Sequence, residues 1–332
     1  MLSYVLKRIV QLVPILFLIS VVSFSIIELP PGDFADFYIS SLRQSGMTIL
    51  DDEARRIKEE YGFNKPLIEK YLRWLGNIVL NGNFGYSFEY QKPVNDIIWE
   101  KLPLTIGFTL GAMIISWIIA IPIGIYSALN QYSKTDYIFT FIGFIGLATP
   151  PFLMALLFAW FFLKIFDYSV LGLYSPEYAT APWSFDKFVD MLKHLILPVI
   201  LIGLQGTGTI IRIMRGNLLD ELKKPYVVTA KAKGVPFKKL LMKYPVRMAI
   251  NPIISTVGWL LPALIAGEIL ISIVLGIQTL GPVLLRSVLS QDMWLAASIV
   301  MILSFLTVLG SLLSDLLLVW LDPRIRYERL SK

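Results

Sequence analysis

Six stretches of the chain, 9–29, 102–129, 137–166, 195–214, 250–275 and 295–321, run for 20 to 30 residues with at most one charged residue each. A helix needs about 20 apolar residues to cross a hydrocarbon core of about 30 Å, so each stretch is long enough. The pattern predicts an all-α integral membrane protein with six transmembrane helices. Pro122, Pro150, Pro151, Pro252 and Pro262 fall inside these runs. Neighbouring helices can satisfy the carbonyls that a proline frees, so the expectation is a kinked bundle. The first run follows Lys7 and Arg8 and leads into Pro30, Pro31 and Gly32 with no small-residue cleavage site, which predicts an uncleaved spanning helix.

The polar intervals are unequal. The longest, 30–101, contains DDEARRIKEEYGF, with acids at its start and a glycine near its end, and PLIEKYLRWLGNIVL, opened by Pro66. Both read as helices. The NGNFGYSF that follows reads as a turn. This interval is expected to form a small extracytoplasmic subdomain after the first helix. The interval 167–193, with YSPEYATAPWSFDKF, is expected to be a loop, and so is the short interval around Arg286 and Asp292. The resulting division is a first helix at 1–29, the extracytoplasmic subdomain at 30–101, a five-helix core at 102–321 and a tail at 322–332.

Lys and Arg gather in three places: Lys7 and Arg8, the segment from Arg212 to Arg247, and Arg324, Arg326, Arg329 and Lys332. With six spans all three lie on one side, and the positive-inside rule makes that side cytoplasmic, together with both termini. The middle segment, 216–247, includes KPYVVTAKAKGVPFKKLLMKYPVR. It reads as two short helices broken at Gly234, the first opened by Pro225. Phe237, Leu240, Leu241 and Tyr244 share one face of the second by helical spacing. Ala230 and Ala232 are small enough for another backbone to come close. A topology signal near anionic lipid would account for the charge, but it needs neither the glycine break nor the small residues.

Composition narrows the chemistry. Of 332 residues 56% are hydrophobic, the formal net charge is +6 and cysteine is absent. Mean hydropathy is +0.67. Disulfides and thiolate chemistry are excluded, and a single histidine, His194, excludes a multi-histidine metal site. His194 opens the fourth run beside Lys193 and reads as an interfacial or solvated residue. Gly-Lys occurs nowhere, so a phosphate-cradling GxxxxGK[ST] loop is absent. The GxG of QGTGTIIR, Gly206 and Gly208, has no preceding strand and reads as helix packing. Of the charges in or near spans, Glu28 reads as solvated at the outer interface and Asp315 as paired with a cation. Glu268 is the candidate for lining a translocation path. No catalytic constellation and no metal site stand out, which leaves an intramembrane enzyme without support. A stand-alone secondary transporter or channel stays open as the alternative, with Glu268 as its coupling group.

The basic loop resembles the coupling (EAA) loop of type I ABC-transporter permeases, in particular the B-type subunits of the dipeptide/oligopeptide/nickel branch. MLSYVLKRIVQLVPILFLISVVSFSIIELPPGD resembles that branch's opening helix. YGFNKPLIEKYLRWLGNIVLNGNFGYSF resembles its extracytoplasmic segment, LPLTIGFTL the start of its second helix and SDLLLVWLDPRIR its C-terminus. The pattern diverges in places. Val228 and Thr229 stand where the broader loop pattern has Glu and Ala. KYPVRMAINP replaces a RHALRNALLP-like stretch. LGIQTLG lacks a Pro-Gly, and Ser272 holds a usual Glu position, four residues after Glu268.

The resemblance implies a type I ABC importer (MetI-like) permease fold in the plasma or inner membrane. It implies a second homologous permease subunit, two cytoplasmic ABC ATPase subunits that bind ATP and Mg, and an extracytoplasmic solute-binding protein. Membrane lipid is the surrounding partner, and neither a cofactor on this chain nor nucleic acid is expected. Tyr226, Thr229, Ala230, Lys233, Gly234 and Phe237 would lie at or near the ATPase contact. The expected cargo is an oligopeptide or an oligosaccharide, with nickel as the alternative.

Overall fold

The computed structural model describes residues 2–29, 32, 34–44, 56 and 65–321. DDEARRIKEEYGF and the tail 322–332 lie outside the described residues, Arg56 excepted. The chain forms two compact units, 1–104 with 278–306, and 105–277 with 307–332.

In the first unit, α1 (Leu2–Glu28) is followed by α2 (Phe34–Gln44) and α3 (Leu67–Asn81). Pro66 sits just before α3 at φ −56° and ψ 145°, the extended conformation of an N-cap residue rather than a first-turn one. The apolar faces of these helices meet around Phe24, Ala35, Tyr71 and Trp74, joined by Met293 and Ala297. The polar edges of the aromatics are also satisfied. Ser20 Oγ and Tyr71 Oη lie 2.8 Å apart, and Trp74 Nε1 donates to Ser298 Oγ at 3.2 Å. Glu28, expected to be solvated, is instead ion-paired with Lys70 on α3. The interhelical packing carries Lys70 to the carboxylate, so neither charge depends on water alone.

NGNFGYSF was expected to be a turn, and it contains more than that. Gly82 caps α3 in the left-handed conformation. Then β1 (Tyr86–Ser87) pairs antiparallel with β2 (Lys92–Pro93), Tyr86 opposite Pro93 and Ser87 opposite Lys92. α4 (Val94–Leu129) follows at once and begins eight residues before the apolar run.

In the second unit, α5 (Lys134–Ala148) and α6 (Pro151–Phe166) share the third apolar run but are bent by 104° at the break between them. The cause is local. A residue before proline is driven out of helical geometry, and Thr149 stands at ψ 128° before two consecutive prolines. Its hydroxyl donates to Ile145 O at 2.7 Å, closing α5, while Pro150 O accepts from the Leu153 and Met154 N–H groups in the first turn of α6.

The interval 167–193 is not all loop. It holds the four-residue α7 (Pro176–Ala179), and α8 (Phe185–Leu222) starts within it, N-capped by Ser184. That early start buries His194 to 1% exposure. Its Nδ1 lies 3.0 Å from Asp190 O and 3.3 Å from Tyr168 Oη. The solvated reading of His194 is therefore corrected, because the residue sits more than two turns inside a helix.

α8 packs against α5, α6, α11 (Pro245–Ser255) and α12 (Val257–Leu275). Gly208 meets the Gly143 backbone so closely that a side-chain carbon at either position would crowd the other helix. α9 (Pro225–Ala232) and α10 (Phe237–Lys243) lie between α8 and α11. The fifth run divides at Thr256, whose hydroxyl donates to Ile253 O at 2.6 Å. α13 (Leu280–Leu289), a ten-residue helix, occupies the expected loop around Arg286, and α14 (Met293–Leu321) follows. Five described helices are long and apolar enough to cross a membrane: α1, α4, α8, α12 and α14. The bent pair α5–α6 makes a sixth crossing if counted as one.

Candidate functional site

α9 and α10 are built as a supported hairpin. Lys224 is extended at φ −68° and ψ 145°, so Pro225 starts α9 without strain. Gly234 stops it at φ +71°, a conformation that costs a residue with a Cβ about 1–2 kcal/mol. The turn is closed by Gly234 N–H to Lys231 O at 3.0 Å and Val235 N–H to Ala230 O at 3.3 Å. Beneath it, Val227, Ala230 and Leu240 form a small buried core with Val235 and Tyr244 packed against it.

What faces outward follows. Tyr226 is 39% exposed and Phe237 56%, and Thr229, Lys233 and Gly234 are exposed as well. Thr229 Oγ1 donates back to Pro225 O at 2.9 Å. Tyr226 Oη donates to Glu221 Oε2. Partial burial, followed by this bond and the charge of Glu221, pushes the phenol well above its ordinary pKa. At neutral pH Tyr226 is thus a neutral donor tied to Glu221.

Two expectations need correction here. Ala230 is not on the outer surface. It lies inside the hairpin, where its small side chain lets α9 sit on Leu240. Phe237 does not join Leu240 and Leu241 in the buried face. A helical side chain covers the turn before its own Cα, and Phe237 is the first residue of α10, with no such turn to cover.

The intramembrane candidate also changes. Glu268 is 0% exposed and accepts a hydrogen bond from Ser272 Oγ at 2.7 Å, one turn along α12. It is enclosed by packing and does not line an open wall. A cavity of about 340 Å³ does open nearby, between the α5–α6 break at Thr149 and Pro150, Gln205 and Thr209 of α8, and Trp259 and Ala263 of α12. The Gln205 carboxamide lies against Gly267, the neighbour of Glu268, where a side-chain carbon would come within 2.5 Å of Oε1. Gln205 Nε2 is buried and makes no hydrogen bond among the described residues. A buried amide donor without an acceptor is costly, which singles out Gln205 among the polar residues near this cavity, with Thr149 and Thr209. Its signal in the sequence is a lone glutamine inside an apolar run. Among the described residues no three His, Asp or Glu side chains gather as metal ligands would.

Five long apolar helices and one bent pair, with a Gly-broken helical hairpin between α8 and α11 in the chain, are what a transport permease requires. Residues 120–327 match the binding-protein-dependent transport system inner membrane component, and residues 1–109 match the N-terminal part of such membrane components. The chain belongs to this family and is a permease subunit of the ABC importer type. It is 32% identical to an oligopeptide transport system permease protein of Bacillus subtilis (strain 168), over 98% of this chain and 100% of the relative. It is 31% identical to a dipeptide transport system permease protein of Alkalihalophilus pseudofirmus, over 98% and 100%. A peptidoglycan transport system permease protein of Agrobacterium fabrum is 30% identical, over 98% and 99%.

Proposed function

We propose that this permease imports short peptides. A second, homologous permease completes the path, two cytoplasmic ABC ATPase subunits supply ATP hydrolysis with Mg, and an external binding protein delivers the cargo. Both chain termini face the cytoplasm, and the 30–101 subdomain lies outside. The observation that carries the coupling part is the α9–α10 hairpin. Its core of Val227, Ala230 and Leu240 supports an exposed surface of Tyr226, Thr229, Lys233, Gly234 and Phe237. These five form the ATPase contact, with Ala230 as the spacer beneath them. Peptide cargo is favoured by the names of the relatives. The cavity at Gln205 supports it too, since a largely apolar cavity with one unsatisfied amide donor suits a cargo that carries both side chains and carbonyls. Glu268 stands behind that cavity as a buried support rather than on its wall.

The test is reconstitution of this chain with its partner subunits and binding protein in proteoliposomes. Uptake of labelled di- to pentapeptides that stops without ATP is the expected result. ATP-independent uptake by this chain alone would establish the secondary-transporter alternative. Uptake of oligosaccharide or nickel in place of peptide would reject the cargo assignment while leaving the permease role intact.

A further inference from the structure

Beside the crossing of α5 and α8 lies a crevice of about 190 Å³, lined by Phe139, Thr140, Phe144, Arg212 and Arg215. It is left open because the crossing is made by Gly143 and Gly208, which contribute no side chain to fill it. Its two guanidiniums are not equivalent. Arg215 places two hydrogen bonds on Asp136, at 2.8 and 3.1 Å, so that pair carries no net charge. Arg212 is exposed, with its Cζ 5.6 Å over the Phe144 ring, and it has no carboxylate partner among the described residues. The Thr140 hydroxyl also makes no hydrogen bond among the described residues. Among the described residues the crevice thus holds one uncompensated positive charge and one free hydroxyl.

Its surroundings and depth say what would compensate that charge. Tyr137, Ile138, Phe141, Ile142 and Ile145 leave one apolar strip exposed along α5. Arg212 lies two residues from the end of the 195–214 apolar run, and α8 continues ten residues beyond it to Leu222. The guanidinium therefore sits where hydrocarbon gives way to headgroups, a depth at which an unpaired cation is costly. Its planar fork of donors matches phosphate. Basic pockets between spanning helices on the cytoplasmic side favour acidic headgroups.

We propose that this crevice binds the phosphodiester of an anionic phospholipid, held by Arg212 and Thr140, with the acyl chains along the α5 strip. The cation–π contact with Phe144 holds the guanidinium in place while the crevice is empty. A lipid seated there would brace the α5–α8 crossing at the point where α8 leaves the membrane for the α9–α10 hairpin.

The experiment uses the full-length chain purified in a mild detergent and does not depend on cargo or ATPase. Native mass spectrometry and thermal unfolding are run with phosphatidylglycerol, with phosphatidylcholine and with inorganic phosphate. Preferential retention of phosphatidylglycerol, with a matching rise in unfolding temperature, is the expected result. Loss of one basic contact near a membrane surface corresponds to about a fivefold weakening, the change expected for Arg212→Gln, with Arg212→Lys falling between it and the parent because it keeps the charge but not the fork. If Arg212→Gln does not insert, Thr140→Val serves instead and should weaken retention about twofold, the loss of one hydrogen bond at the weak end of the usual range. Equal retention of the two lipids, or a phosphatidylglycerol preference unchanged in these variants, overturns the proposal. Stabilisation by inorganic phosphate as large as that by lipid also overturns it, because the crevice would then be a free-anion site.

Discussion

Asp136 and Arg215, 79 residues apart in the chain, meet in a forked ion pair: Nη2 to Oδ2 at 2.8 Å and Nε to Oδ1 at 3.1 Å. The Asp136 side chain is 3% exposed. The same carboxylate accepts the Tyr132 N–H at 3.0 Å, so it fixes the α4–α5 turn as well as the flank of α8. Removing one partner of an enclosed pair strands the other. Asp136→Ala is expected to cost about 3 kcal/mol and lower the unfolding temperature by several degrees. Arg215→Lys should recover little, because an ammonium cannot repeat the fork. Detergent-phase melting of the three proteins checks this, and a lysine variant as stable as the parent would show that the fork is unimportant.

Gly234 separates two roles that one substitution would confuse. At φ +71° any side chain is strained, yet a Cβ there meets nothing within 4 Å. Gly234→Ala therefore carries the backbone cost, about 1–2 kcal/mol, without bulk on the surface. Gly234→Trp carries a similar backbone cost and adds a large side chain in open space. If the hairpin docks on an ATPase, the tryptophan variant should lose cargo-stimulated ATP hydrolysis while the alanine variant retains most of it, both inserting normally. Stimulated hydrolysis that is normal in the tryptophan variant would falsify the docking role.

These residues also show where the sequence is informative. Helix-breaking signals at Gly234 and at Pro150-Pro151 act on adjacent backbone and are readable locally. The 104° angle between α5 and α6 is not, because it depends on what each half packs against. Ala230 was readable as small but not as inward, since only the fold puts Leu240 beneath it. His194 misled because the edge of an apolar run is not the edge of a helix, and Ser184 starts α8 well before apolarity begins. Glu268 stood out as an intramembrane charge, while the residue that lines the cavity, Gln205, carries no charge to draw attention. The Asp136–Arg215 pair had no local signal at all.

The α5–α8 crossing predicts a contrast between two glycines of α8. A Cβ at Gly208 would run into the carbonyl of Gly143, backbone that cannot swing aside, whereas one at Gly216 meets nothing within 4 Å. Gly208→Ala should destabilise by about 1–3 kcal/mol through overpacking. Gly216→Ala should be neutral or gain up to about 1 kcal/mol of helix propensity. Equal unfolding temperatures for the two variants would mean that the helices part without cost.

Asp292 is expected to make the stability of the first unit depend on pH. It is 0% exposed and accepts from Ser87 Oγ at 2.6 Å and from the Glu89 N–H at 3.1 Å, tying the β1–β2 hairpin to the start of α14. Burial pushes its pKa above the usual 3.8, against the opposing pull of these hydrogen bonds and those from the Leu295 and Phe88 N–H groups. The folded state then binds the proton more tightly than the unfolded state. Its contribution to stability is complete below about pH 3.8 and is lost as pH rises through the elevated folded value. Unfolding temperature should fall with rising pH across that window. Asp292→Asn, with its carbonyl oxygen facing Ser87 and Glu89, should flatten the slope. The same slope in both proteins would assign the effect to another group.

The cavity at Gln205 yields the last prediction. Its amide nitrogen is buried without an acceptor, and its carboxamide is held in place because position 267 has no side chain. A cargo carbonyl that reaches this donor relieves a desolvation cost the empty cavity already carries, so the gain on binding is larger than for an exposed amide. Gln205→Leu keeps the apolar bulk and removes the donor. It should raise the KM for peptide uptake about five- to tenfold while leaving basal ATP hydrolysis by the assembled transporter unchanged. Gly267→Ala should give a similar KM change by displacing the carboxamide, although the residue itself adds only one methyl group. Agreement between the two variants would locate the effect in the amide rather than in helix packing. A Gln205→Leu transporter with unaltered KM would remove this cavity from the cargo path.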